Sequence, residues 1–575
     1  MNEYRWSAWL QQETLDLALR QELEQMIEDG RETELQECFM QDLQFGTGGM
    51  REKMGPGTNR MNVYTVRKAS YGVAQWIVHH RPKHMWKLAI GYDGRRDSKR
   101  FAQEVACVVA AFGVHSYVFT EARPTPFLSF AVRELGCGGG VMVTASHNPP
   151  AYNGYKVYGS DGGQVLEADA RQIISEMEGC GDLFSIPRLS IDDMQVANLV
   201  HDIGVQIETA YYQQISSLFH AEPDAEKRKV TIVYTPLHGT GAQPVVAALH
   251  QAGYQQVICV ESQMPLDSAF THVQSPNPED ASAYVEAIAL AKSVSADIIL
   301  ATDPDADRVG LMVRTASGEY TLLTGNEVGG LLLYDLLKNR SNGELRAGST
   351  AITTIVSSGF GEVVAKSFGV LTERVLTGFK YIGDKIGQYE KSGERAFVFG
   401  YEESVGYLVL PFVRDKDAVQ TAVAIANMVV SCKRESGGVS EQLEQLYEQF
   451  GYFTDDLSGY LFTGLQGTER MKALMETFRE DGLQVSGFHL ESIEDYRSLI
   501  CTHVQDGSTT QLHLPSSDVL IFRFAKGHWI AIRPSGTEPK LKVYIGVTAS
   551  TKHEAEEKRV ALVQAVQQRI TPFLR

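Results

Sequence analysis

The chain has 575 residues, 43% of them hydrophobic and 22% charged, with a formal net charge of −18. This length exceeds a single hydrophobic core and calls for about three to five domains. The composition excludes a disordered chain, and the acidic balance excludes nonspecific nucleic-acid binding, which needs a basic face. Anionic small molecules stay open, because charges beyond a Debye length of about 8 Å are screened and a few converging cations govern a site locally.

The first forty residues read as helix, with Leu15, Leu19, Leu23, Met26 and Ile27 at helical spacing among Glu and Gln. Nothing near Met1 has the continuous apolar stretch of a secretory leader, and no apolar run approaches the ~20 residues of a membrane span. The seven cysteines include no CxxC pair and are odd in number, so they read as reduced thiols in a reducing compartment. The expectation is a cytoplasmic protein without a membrane partner. Phe45-Gly46-Thr47-Gly48-Gly49-Met50-Arg51 follows, too rich in glycine to be read as helix or strand.

Beyond it, short apolar strands alternate with amphipathic helices, the mark of α/β layers with mainly parallel sheets. Strand 88–90 runs into Gly91-Tyr92-Asp93-Gly94-Arg95, with Ser98 as cap for a helix over 101–112 that Gly113 ends. Strands are expected at 141–143, 230–233, 298–300, 351–356 and 396–399. After about residue 453 the pattern changes. Segments 519–524 and 529–532 read as a hairpin around Lys526-Gly527, with a closing helix from Thr551, which suggests a smaller α+β domain. The expected division is 1–205, 206–326, 327–455 and 456–575.

Several unusual loops follow strands, where ligands sit in such sheets. Thr144-Ala145-Ser146-His147-Asn148-Pro149-Pro150 places Ser146 at a strand-end turn braced by two prolines. A serine hydroxyl becomes a nucleophile only with a base or cation beside it, and His147 and Lys156 are the local candidates. Taken alone, the segment fits a plain hydrogen-bonded turn equally well. Asp303-Pro304-Asp305-Ala306-Asp307-Arg308 sets three carboxylates on alternate residues. Brought together they repel unless a hard divalent cation joins them. Arg308 and Arg314, where a calcium-binding loop needs Gly and Glu, exclude the calcium-sensor reading. Arg533-Pro534-Ser535-Gly536-Thr537 offers a guanidinium fork, hydroxyls and close backbone approach to a phosphate, or a capped turn. Gly400-Tyr401-Glu402-Glu403-Ser404 suits sugar hydroxyls, or the first turn of a helix.

Together these segments, in this order from about Phe45 to Tyr544, resemble the α-D-phosphohexomutase family of phosphoglucomutases, phosphomannomutases and their relatives. Phe45 to Arg51 and Asn59-Arg60-Met61-Asn62 are similar to its phosphoglucomutase-2-like branch, with Gly48 where many relatives carry Ala or Ser. The resemblance implies three related α/β domains and a smaller C-terminal α+β domain around a cleft. It implies isomerase activity through phosphoserine at Ser146, with Asp303, Asp305 and Asp307 as magnesium ligands alongside the serine phosphate. Arg51, His147, Lys156 and Arg308 fall on positions used around the transferred phosphoryl, with Lys156 ahead of His147 as general acid/base. Glu402 and Ser404 are implied contacts to sugar hydroxyls, and Lys380 an orienting group. Arg533, Ser535, Gly536 and Thr537 are the implied phosphate clamp, and His238 lies on a family loop. The implied substrate is a sugar phosphate, with glucose 1-phosphate ahead of ribose or deoxyribose phosphate and mannose phosphate, and glucose 1,6-bisphosphate as intermediate. A metal-dependent phosphatase with Asp303 as nucleophile, and a catalytically silent sugar-phosphate-binding regulator, are the competing expectations.

Overall fold

The computed structural model describes residues 3–46, 48–340, 345–462, 466–535 and 540–574. The chain forms two compact units. One comprises Met1–Leu322, Ile382–Lys391 and Gly406–Val430, and the other Leu323–Tyr381, Ser392–Val405 and Ser431–Arg575.

The first unit opens with helices Glu3–Leu10, Leu17–Glu28 and Glu32–Phe39. Asp16 caps the second by accepting the Leu19 N–H. Trp9 meets Phe39 and Tyr64 edge-on, both at 5.5 Å between ring centroids, which fastens this extension to the helix Val63–His80. Asn62 and Thr65 form a capping box at the start of that helix.

The first sheet contains β1 (Gly49–Lys53), β2 (Lys87–Tyr92), β3 (His115–Phe119), β4 (Gly139–Val143), β5 (Tyr152–Gly159) and β6 (Val200–Ile203), in the order β1-β5-β4-β2-β3-β6. From β4 to β6 the neighbours are parallel; β5 and β1 complete the other side antiparallel. β1 corrects the reading of its glycine-rich segment as neither helix nor strand. Gly49 has φ +141°, and a Cβ there would lie 2.0 Å from the Tyr155 carbonyl oxygen, so this strand pair closes only with glycine. The helix after β2 runs Ser98–Ala110 and starts earlier than its apolar pattern predicts. Ser98 is its first residue, with Asp97 at the cap position, and its hydroxyl donates to Asp93 Oδ1 at 2.7 Å. Gly113 follows the helix at φ +75°, as expected of a terminator.

The second sheet holds β7 (Thr231–Thr235), β8 (Gln256–Cys259), β9 (Ile298–Thr302), β10 (Val309–Arg314) and β11 (Tyr320–Leu322), in the order β11-β10-β9-β7-β8. Its β7–β8 and β7–β9 pairs are parallel, and β10 and β11 are added antiparallel. In both sheets, parallel neighbours release their loops at the same edge. β2 and β4 therefore deliver Asp93-Gly94-Arg95 and the serine loop side by side, and β7 and β9 do the same for the His238 loop and the acidic loop.

In the second unit, β12 (Ser349–Thr354), β13 (Leu371–Val375) and β14 (Ala396–Glu402) pair in parallel, with β12 in the middle. The short strand β15 (Gly406–Leu408) and most of the apolar helix Ala418–Glu435 fall in the first unit. An antiparallel sheet then collects β16 (Tyr452–Leu461), β17 (Leu490–Asp495), β18 (Ile500–His503), β19 (Thr509–Gln511), β20 (Leu520–Phe524), β21 (His528–Pro534) and β22 (Lys540–Ala549), in the order β16-β22-β21-β20-β17-β18-β19. The expected hairpin is the β20–β21 pair, turning at Lys526 with φ +65°. One face of this sheet buries Phe522, Ile530 and Val543 with Leu474, Phe478 and Leu562 from the helices Gly467–Asp481 and Lys552–Leu574. Each fully buried side chain of this kind contributes about 1.5–3 kcal/mol.

Where β16 begins, Asp455 accepts the Asn326 amide at 2.9 Å, while its other oxygen is buried with no hydrogen-bond partner among the described residues. Burial, reinforced by the carboxylates of Glu327 and Glu403, pushes its carboxyl up to about 7 against the Asn326 bond. A carboxyl raised in the folded state favours folding below its unfolded range and loses that contribution as pH rises through about 7. The melting temperature of Asp455→Asn relative to the natural chain should therefore rise between about pH 5.5 and about pH 8.5, read by calorimetry. A difference that stays flat across that window would refute the assignment.

Candidate active site

In the first unit, the loops after β4 and β9 meet. Ser146 Oγ donates to Asp303 Oδ2 at 2.6 Å and lies 3.4 Å from His147 Nδ1. Ser146 is a non-glycine residue at φ +50°, 4% exposed. Asp303, Asp305 and Asp307 are buried, and each offers an oxygen within 4.8 Å of the others. At that separation, two unit charges repel by on the order of 3 kcal/mol at an effective dielectric of 20.

Cations answer this charge from several directions. Lys156, on β5, donates to Asp305 Oδ2 at 2.7 Å and lies 3.4 Å from Asp307 Oδ2. Lys416 Nζ lies 3.1 Å from the same Asp307 oxygen. Arg308 Nε stands 3.8 Å from Asp307, and Nη1 donates to Glu279 at 3.1 Å. Arg51, on β1, donates to Asn148 Oδ1 at 2.7 Å and so reaches the serine loop. Burial and the two neighbouring carboxylates raise Asp303 well above the carboxylate range. Burial opposes ionisation of Asp305 as well, but the Lys156 ammonium and the hydrogen bonds it accepts hold it below that range. Burial also works against the charge on Lys156, and Asp305 and Asp307 outweigh it and hold the ammonium above the usual lysine range.

The trio fits a hard cation on a further observation. Asp305 Oδ1 and Asp307 Oδ1 are buried without a hydrogen-bond partner among the described residues, although their other oxygens are engaged. Three converging carboxylates, two of them with a spare buried oxygen, are the ligand chemistry of magnesium-like ions.

His238 stands apart from this cluster in its bonding. Its Nδ1 donates to the Pro265 carbonyl at 2.9 Å, and its Nε2 accepts the His272 N–H at 3.3 Å. Both ring nitrogens therefore brace the 265–272 loop.

The second unit holds the remaining expected residues in two groups. Glu402 ends β14 and accepts the Gly378 N–H at 2.8 Å, which joins the Glu402-Glu403-Ser404 turn to Thr377-Gly378-Phe379-Lys380. The turn leaves a strand, so the helix alternative does not apply. Lys380 Nζ lies 4.9 Å from the centre of the Tyr381 ring. On the antiparallel sheet, Arg533 pairs in register with Lys542, and the Ser535 N–H donates to the Lys540 carbonyl at 2.7 Å. Gly536 and Thr537 lie outside the described residues.

Comparison with known proteins matches four consecutive phosphoglucomutase/phosphomannomutase family models: alpha/beta/alpha domain I at residues 42–181, domain II at 209–318, domain III at 324–450 and the C-terminal domain at 489–562. The chain belongs to the α-D-phosphohexomutase family. A phosphoglucomutase of Staphylococcus epidermidis is 37% identical over 516 residues, 90% of this chain and 92% of its own. One of Staphylococcus aureus is 36% identical over 541 residues, 93% and 95% of the two chains. The Paramecium phosphoglucomutase pp63/parafusin, in its open form, shares the fold with a TM-score of 0.65 at 17% identity, covering 93% of this chain and 95% of its own.

Reading the sequence of this phosphohexomutase missed Lys416 and Thr125. Lys416 had a visible signal: Arg414-Asp415-Lys416-Asp417 is a run of four charges between apolar Val413 and the apolar helix Ala418–Glu435. Thr125 Oγ1 donates to Asp305 Oδ2 at 2.8 Å, and nothing around Thr125 in the sequence marks it. A cation held by the trio stabilises the folded state by mass action. Millimolar magnesium should raise the melting temperature of the natural chain by a few degrees and that of Asp305→Asn by much less. Equal shifts in scanning calorimetry would place the ion elsewhere.

Proposed function

We propose that this chain is an α-phosphoglucomutase that interconverts glucose 1-phosphate and glucose 6-phosphate through phosphoserine at Ser146 and a glucose 1,6-bisphosphate intermediate. The observation that carries the reading is Ser146 Oγ against Asp303, with Lys156, Lys416 and Arg308 gathered on the adjoining Asp305 and Asp307. Relatives named phosphoglucomutase at 36–37% identity support the choice of sugar.

Phospho-Ser146 gives its phosphoryl group to the free hydroxyl of the sugar monophosphate. The bisphosphate turns over, and its other phosphate returns to Ser146. Phosphoryl transfer asks a protein chiefly for positioning and for charge to meet the three oxygens of the moving group. Arg51, Arg308 and Lys156 supply that charge from this chain. Lys156, whose ammonium the carboxylates of Asp305 and Asp307 favour, is our first choice for general acid/base at the serine oxygen, and His147 is the second. Asp303, Asp305 and Asp307, with the serine phosphate, would hold magnesium, which neutralises and orients phosphoryl oxygens when bound. Glu402 and Ser404 are assigned to sugar hydroxyls, Lys380 to orienting the sugar, and Arg533, Ser535, Gly536 and Thr537 to the phosphate that does not react. The division 1–205, 206–326, 327–455 and 456–575 then gives phosphoserine, metal, sugar and phosphate domains. A cytoplasmic setting accords with the free cysteines. No helix of the described residues is long and apolar enough to cross a membrane.

Ser146→Ala should abolish turnover while glucose 1-phosphate still binds; turnover within tenfold of the natural chain would end the phosphoserine scheme. With catalytic bisphosphate supplied, kcat/KM should be highest for glucose 1-phosphate among the 1-phosphates of glucose, mannose, ribose and deoxyribose. A ribose preference would instead make the chain a phosphopentomutase.

A further inference from the structure

The backbone at Ser146 is unusual enough to need a cause. A serine at φ +50° sits in the left-handed region that side-chain-bearing residues rarely occupy, and such a conformation persists only where surroundings impose it. Ser146 has a fixing bond on each side. Toward the N-terminus, its N–H donates to Thr144 Oγ1 at 2.8 Å, and that hydroxyl donates to Asp93 Oδ2 at 2.6 Å. Toward the C-terminus, its carbonyl accepts from Arg95 Nη2.

Arg95 does more than hold one carbonyl. Nη2 also donates to the Asn148 carbonyl at 2.5 Å, and Nη1 to the carbonyls of Pro149 and Tyr152 at 3.0 and 3.1 Å. One guanidinium thus ties the serine turn to the end of the loop where β5 begins. Its side chain is fully buried, its Nε lies 3.3 Å from Asp93 Oδ2, and it lies 5.0 Å from the centre of the Phe270 ring. Asp93 therefore neutralises the cation on one side of Ser146 and, through Thr144, sets the amide on the other. Only a planar fork with several fixed N–H groups reaches four carbonyls from one point; an ammonium with three donors on a flexible stem does not.

We propose that Arg95, coupled to Asp93 through Thr144, is the positioning residue that sets the direction of the Ser146 hydroxyl and of the phosphate it carries. The proposal rests on the phosphoserine reading and adds to it a cause for the loop's geometry. Arg95 touches neither the sugar nor the reacting oxygen. Its loss should slow transfer without loosening substrate, because displacement of a reacting atom by about an ångström costs rate far more than affinity.

The test uses the full chain as Arg95→Lys, Thr144→Val and the double variant, each loaded from glucose 1,6-bisphosphate with phosphoserine confirmed by intact mass. Arg95→Lys should lower kcat, and the single-turnover rate of transfer from phospho-Ser146 to glucose 1-phosphate, by about 10- to 100-fold while KM stays within about twofold. Thr144→Val should lower them by about 10-fold, and the double variant should fall little below Arg95→Lys, because the two residues hold one backbone. A single-turnover rate within twofold of the natural chain in loaded Arg95→Lys would overturn the proposal. So would losses that multiply in the double variant, or a KM that rises as far as kcat falls. If Arg95→Lys does not fold, Thr144→Val alone decides by the same split between kcat and KM. Phosphoserine that never forms in the natural chain would sink the underlying reading, an outcome distinct from normal transfer in a loaded variant.

Discussion

Three carboxylates buried at the end of β9 are the constraint on which the first unit is organised. Asp303, Asp305 and Asp307 are at most 1% exposed, and burying charge without partners costs several kcal/mol per ion. The chain meets that cost with groups from widely separated segments: Thr125 at the start of the helix Thr125–Glu134, Lys156 on β5, Arg308 beyond the acidic turn and Lys416 from a late stretch. The late stretch is informative. Gly406–Val430 belongs to the first unit although a large part of the second precedes it in sequence. Its polar groups find their partners in the first unit: Tyr158 donates to Asp415 at 2.9 Å, Tyr211 to Asp417 at 2.6 Å and Tyr254 to Asn427 at 2.7 Å. Asp417, its carboxyl raised by burial to about 6, also caps the helix that follows by accepting the Val419 and Gln420 N–H groups.

The features legible in the sequence were those whose chemistry is local. Strands running into the Ser146 and Asp303 loops carry their meaning within ten residues, since an apolar run followed by polar residues and proline can hardly be anything but a strand and its loop. Alternate aspartates announce convergence because a turn is the only way to use them together. The illegible features depend on long-range approach. The strand at Gly49 exists because Tyr155 comes within reach of a residue lacking Cβ, which no window around Gly49 records. Ser98 has the residue type of a cap, yet its hydroxyl goes to Asp93, which the β2–β4 pairing has brought beside the serine loop. His238 has the residue type of a ligand or a base, and its ring is held by two backbone groups of a neighbouring loop. In each case, residue identity gave the hydrogen-bonding capacity and tertiary contact decided who receives it.

The acidic turn shows how such contacts become geometry. Residues i, i+2 and i+4 of an extended strand stand about 7 Å apart in succession, too far for one ion. A left-handed Ala306, at φ +48° and fully buried, turns the chain so that three aspartates come within 4.8 Å. Left-handed alanine is disfavoured by roughly 1–2 kcal/mol, so the turn has to be held from outside. Three consecutive carbonyls receive that hold from three different segments: Pro304 from the Thr240 N–H at 2.9 Å, Asp305 from Thr125 at 2.9 Å and Ala306 from Ala418 at 3.3 Å. The first approach requires glycine next to Thr240, since a Cβ on Gly239 would lie 2.6 Å from the Pro304 Cα. With its backbone satisfied outward, the turn can commit all three side chains inward. The serine loop follows the same rule, with Ser146 left-handed and its flanking peptide groups bound by Thr144 and Arg95. Strain in both loops is therefore confined to single residues whose neighbours are hydrogen-bonded away from the centre. That arrangement keeps the Ser146 hydroxyl and three carboxylates fixed before any ligand arrives, the kind of preorganisation that the proposed phosphoryl transfer would reward.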